Sequence, residues 1–137
     1  MMKTGTLCLI PAQILWYAIL RVSCGGVLEH PSGSYAWNEY QLTRPIKNQW
    51  TKSGNGWVCE VWQSAYGHKA NKKTWLYYTG KSIPIDPLWD RPVGTHQIGF
   101  HDQRGKERNK PTLSKHDANA TPILFMEYLI ALSSASQ

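Results

Sequence analysis

Apolar positions along the chain fall into short runs divided by polar stretches, and the spacing inside each run predicts its element. Ile14, Leu15, Ala18, Ile19 and Val22 recur at i, i+1, i+4, i+5 and i+8, one face of a helix. Pro11 suits the first turn of that helix and Gly25-Gly26 its end. The stretch "VLEHP", residues 27–31, then predicts a short buried strand, and a helix feeding such a strand is the αβ half of a βαβ unit. Ligands in such sheets lie outside the carboxyl ends of strands, which makes Glu29 and His30 candidate catalytic residues. Pro31 keeps His30 out of the helical region and ends the ladder, so the two sit on a constrained turn.

Residues 32–56 are polar and lack a long apolar period; Arg44, Lys47 and Lys52 stand among Trp37, Tyr40 and Trp50, and irregular turns are expected. Gly54-Asn55-Gly56 is turn chemistry. Two runs rich in strand formers follow, "WVCEVWQSAYG" and "TWLYYTG", and predict an antiparallel pair. Their connection, "HKANKK", carries His68, Lys69, Lys72 and Lys73, the best phosphate-contact candidates in the chain; a solubilising loop tip is the plainer alternative. Four prolines and the run "HDQRGKERNK" predict an extended, weakly ordered stretch over residues 81–115. Thr121-Pro122 opens a last helix, "ILFMEYLIAL", which is apolar nearly all round apart from Glu127 and is expected to be buried. The expected organisation is one domain over residues 1–131 and a disordered tail over residues 132–137.

Composition narrows the function classes. With 15 Lys+Arg against 9 Asp+Glu the chain is formally +6, which favours polyanions, and seven Trp with seven Tyr suit stacking as well as half-buried strands. Cys8, Cys24 and Cys59 are far apart and the five histidines are scattered, so neither a zinc site nor a disulfide framework is predicted, and no metal is expected. The first 26 residues also admit an exported, lipid-anchored reading with Cys24 at the cleavage point. Arg21, Pro11 and Gln13 interrupt that pattern, and the run falls short of the roughly 20 residues that span a bilayer. A cytoplasmic chain without a membrane partner is therefore expected.

The order "VLEHP", polar segment, "QSAYGHKANKKTWLYYTG", "TPILFMEYLIAL" resembles the rear portion of a phage-type DNA cytosine-5 methyltransferase. In that family a Glu-Asn turn precedes a strand ending in Tyr-Gly, a basic loop and a returning apolar strand ending in Gly. The resemblance covers residues 11–131 and implies an α/β class: a partial Rossmann-like methyltransferase fold, with a small mixed sheet, an antiparallel strand pair and flanking helices. It implies that Glu29 holds the target cytosine at its N3 edge, with His30 where the family has asparagine. Lys72 and Lys73 fall at the first arginine of the basic loop, and Thr74-Trp75 where a second arginine is expected. Nothing before Glu29 resembles the glycine-rich cofactor loop or the Pro-Cys nucleophile. The resemblance thus implies a fragment that is inactive alone, with DNA as partner. S-adenosylmethionine would be bound only if a second polypeptide supplies the missing N-terminal half. A small basic nucleic-acid-binding protein without catalysis is the alternative.

Overall fold

The computed structural model describes residues 25–99 and 110–136. The helix expected over residues 11–24, with Cys8 and Cys24, lies outside the described residues, as do His101 and most of the run "HDQRGKERNK". Strand β1 spans Gly26–Pro31, helix α1 Tyr35–Glu39, strand β2 Thr51–Ser53 and strand β3 Gly56–Trp62. A 3-10 turn, Gln63–Tyr66, leads on to strand β4, Lys73–Thr79, and the short helix α2, Lys115–Asn119, precedes the long helix α3, Ile123–Ala135.

The two strand-forming runs pair as expected. β3 and β4 run antiparallel from Trp57↔Tyr78 to Trp62↔Lys73. The first run ends its ladder at Trp62; Gly67, at φ 103°, closes the 3-10 turn in a conformation that suits glycine. Gly56 is required for space, since a Cβ there would stand 2.4 Å from the carbonyl oxygen of Tyr78. β2, drawn from the polar segment, adds to the outer side of β3, and β1 pairs with β4 along its whole length, giving the order β1-β4-β3-β2.

The fold is mixed α/β, but every strand pair in the sheet is antiparallel. The small mixed sheet that the resemblance implies, like the parallel neighbour expected of a βαβ unit, is not formed among the described strands. β1 finds its partner in the return strand of the hairpin rather than in a parallel neighbour across a helical crossover. Direction of pairing is set by long-range partners, which the local pattern of residues 25–31 does not encode.

Period-two alternation divides the core between the two sheet faces. On one, Val27, Cys59, Val61, Leu76 and Tyr78 pack with Tyr66 under Phe125, Leu129 and Leu132 of α3. Tyr66 and Phe125 hold their rings 5.0 Å apart. On the other, Leu28, Val58, Trp75 and Tyr77 pack against Trp37 of α1, and Trp37 and Trp75 lie 5.4 Å apart.

Helix α3 departs from expectation in two respects. It buries a single stripe, Phe125, Leu129 and Leu132, and leaves Ile123, Leu124 and Ile130 exposed, because it covers the sheet from one side only. It also continues through Ser133 to Ala135, where a disordered tail was expected; Ser133 and Ser136 are buried, and Ser82 Oγ donates to the Ala135 carbonyl at 2.9 Å. The proline-rich stretch is tied down by side chains. Trp50 Nε1 and the Tyr128 hydroxyl both donate to the carbonyl of Ile85, and the Leu88 N–H donates to the Tyr66 hydroxyl. Gln97 and Thr112 form an isolated parallel bridge.

Candidate functional site

Neighbouring residues of a strand point to opposite faces, and this decides the relation of Glu29 to His30. Glu29 follows Val27 onto the face covered by α3; His30 follows Leu28 onto the face covered by α1. The acid and the imidazole therefore do not form a pair.

Glu29 is held from the end of β3. Gln63, fully buried, continues the inward alternation of Cys59 and Val61, and its Nε2 donates both to Glu29 Oε2 at 3.0 Å and to Thr74 Oγ1 at 3.0 Å. Thr74 donates its own hydroxyl hydrogen to the Lys72 carbonyl at 2.9 Å, so its oxygen is left to accept. Two acceptors facing one amide fix which end of Gln63 carries the nitrogen. The other end, Oε1, is buried and takes no hydrogen bond among the described residues.

Burial raises the proton affinity of the Glu29 carboxyl above its ordinary value of 4.5, against the pull of the Lys72 charge and the Gln63 bond. Lys72 sits at φ 44°, in left-handed backbone, and donates from Nζ to the Ala120 carbonyl at 3.0 Å. Burial lowers its proton affinity, with the Glu29 charge opposing. The result is a half-buried carboxyl with one oxygen pinned by an amide and a neighbouring ammonium. Such a group can accept from, or share a proton with, the polar edge of a ring.

His30 is employed elsewhere. Its Nδ1 lies 2.8 Å from Ser34 Oγ, which accepts from the Ala36 N–H at 3.2 Å as the N-cap of α1. The Ser34 oxygen can either donate to Nδ1 or accept from it while it accepts the backbone N–H, and the His30 Nε2 is buried without a hydrogen-bond partner among the described residues. Burial lowers the proton affinity of His30.

The basic corner is likewise divided. His68 is buried; its Nδ1 accepts from the Ala70 N–H at 3.0 Å, and burial, then the Lys72 charge, keep the ring neutral-leaning. It lines a cavity of about 220 Å³ together with Lys69, Asp117 and Thr121. Lys69 and Lys73 are exposed, and the Lys73 ammonium lies over the Trp62 ring, 5.1 Å from its centroid. Of the four residues expected to meet phosphates, His68 and Lys72 are spent on internal contacts.

Gln63 and Thr74 received no role from sequence reasoning. The available signal was a glutamine continuing the apolar alternation Cys59, Val61 onto the buried face, since buried polar side chains are the informative exceptions. Among the described residues no three His, Cys, Asp or Glu side chains are grouped to hold a metal, and no helix is long and apolar enough to cross a membrane. The connection from β1 to α1 does not fit a nucleotide cofactor: α1 has five residues, and its first turn is already capped by Ser34. Comparison of the chain with protein-family models, with curated proteins and with solved structures finds no match.

Proposed function

We propose that the chain is the DNA-contacting rear portion of a methyltransferase-like protein, inactive alone and working in the cytoplasm with a second polypeptide. That polypeptide would complete a Rossmann-like sheet and bring the S-adenosylmethionine loop and the nucleophilic thiolate, neither of which these residues provide. In this reading Glu29 holds the N3 edge of a cytosine turned out of the duplex. The observation that carries it is the state of that carboxyl: pinned by Gln63 through one oxygen, partly desolvated, and raised in proton affinity. A carboxyl that keeps a proton more readily than usual can donate to N3 as the ring accepts a nucleophile. The chain order of strand, hairpin and basic corner also follows the resemblance.

The test is Glu29→Gln in a complex reconstituted with a polypeptide that supplies the cofactor loop and thiolate. Transfer of labelled methyl groups to DNA is expected to fall by roughly a hundredfold, the scale of a lost acid/base contact. Unchanged transfer would remove Glu29 from the chemistry and the reading with it.

A further inference from the structure

The sheet face opposite α3 carries a second arrangement of charge. Two adjacent rows of this face run across the strands, His30-Trp75-Glu60 and Lys73-Trp62, and each has a cation laid on its tryptophan. The Arg44 guanidinium lies over Trp75, 5.4 Å from the ring centroid. Lys73 and Arg91 both lie over Trp62, at 5.1 and 5.7 Å. Glu60, the one carboxylate in these rows, has both oxygens taken: Trp75 Nε1 donates to one at 2.9 Å, and Arg91 pairs with the other at 3.4 Å. Three cations against one satisfied anion leave the face positive, and Arg44 and Lys73 are exposed.

From this we infer that the Arg44, Lys73 and Arg91 face, rather than the tip of the 68–73 connection, is the seat of the nucleic-acid phosphate backbone. The inference rests on the reading above only in taking DNA as the partner; Glu29, on the face covered by α3, is not part of this surface. The rings hold the long cationic side chains in place before any partner arrives, which reduces the ordering cost of binding. The groups this face presents are guanidinium and ammonium donors, which suit phosphate oxygens. The contact is therefore to phosphate and independent of base sequence.

The experiment follows binding of the whole chain to a short labelled duplex of mixed sequence by fluorescence anisotropy across a series of NaCl concentrations. In Arg44→Gln/Lys73→Gln the slope of log K against log salt should shrink by about 1.8, two contacts at about 0.9 each. Arg44→Lys/Lys73→Arg, which keeps both charges, should hold the slope, and so should Lys69→Gln at the tip. Acetylation footprinting of the unaltered chain gives an independent readout: DNA should shield Lys73 and leave Lys69 reactive. An unchanged slope in the Gln double variant, or shielding of Lys69 in place of Lys73, overturns the inference while leaving the DNA-contacting reading intact. A wild-type chain that binds no DNA at any salt overturns both. Tighter binding to phosphatidylserine vesicles than to DNA overturns the inference in favour of a membrane surface.

Discussion

Replacing Glu29 by Gln separates a functional carboxyl from a structural one through stability alone, without a partner polypeptide. The carboxyl binds a proton more readily in the folded chain than at its ordinary value of 4.5, because burial outweighs the Lys72 charge and the Gln63 bond. The folded state therefore favours the protonated form. Wild-type stability is highest below pH 4.5 as far as this group is concerned, and declines as pH rises through 4.5 and on through the higher folded value. Glutamine imitates the protonated form at every pH, and its carbonyl still accepts from Gln63 Nε2. One neutral hydrogen bond of about 1 kcal/mol is kept and a partly buried charge is removed. The variant is expected to equal or exceed the wild type at pH 7, by up to about 1 kcal/mol, and to converge with it near pH 4. Urea unfolding followed by circular dichroism at the two pH values measures this. A variant less stable than the wild type at pH 7, with the deficit vanishing on acidification, would refute the reasoning, because Glu29 would then be stabilised as an ion by Lys72.

Two further outcomes follow from the packing. Phe125→Ala empties the centre of the α3 contact, where the ring is fully buried against Tyr66, and should cost about 3–5 kcal/mol in the same assay. Ser34→Ala removes the N-cap of α1 and the His30 Nδ1 partner together, and should cost about 1 kcal/mol.

Local patterns carried the hairpin. "WVCEVW" and "TWLYYT" are strands wherever they find a partner, and the basic connection between them is short enough to make that partner each other. The strand at residues 27–31 was equally plain, but Glu29 and His30, expected on a turn at its end, are paired within it opposite Leu76 and Trp75. What local pattern could not supply was the neighbour: β1 pairs with β4 across more than forty residues, so its direction was invisible from the helix-like run before it. β2 is three polar residues that become a strand only because β3 offers an edge. The separation of Glu29 from His30 was within reach, since it needs only the two-residue period of a strand. The partner of Glu29 was not, because Gln63 stands thirty-four positions away and reaches it only after the hairpin has formed. Helix α3 misled for a related reason. Its residues are apolar all round, but one sheet has only one face to offer it.

The roof over β1 is made from the far end of the chain. Val27 is sealed by a cluster that includes Leu129 and Leu132, so the first described strand waits for α3 to be synthesised before its apolar side is sheltered from water. During vectorial translation the hairpin can close early, but Val27, Leu76 and Val61 stay uncovered until α3 clears the ribosome exit tunnel. This leaves a nascent species with an open apolar sheet, the kind of surface on which holding chaperones act and from which aggregates start. Premature stop codons ahead of Phe125 would leave that species permanent.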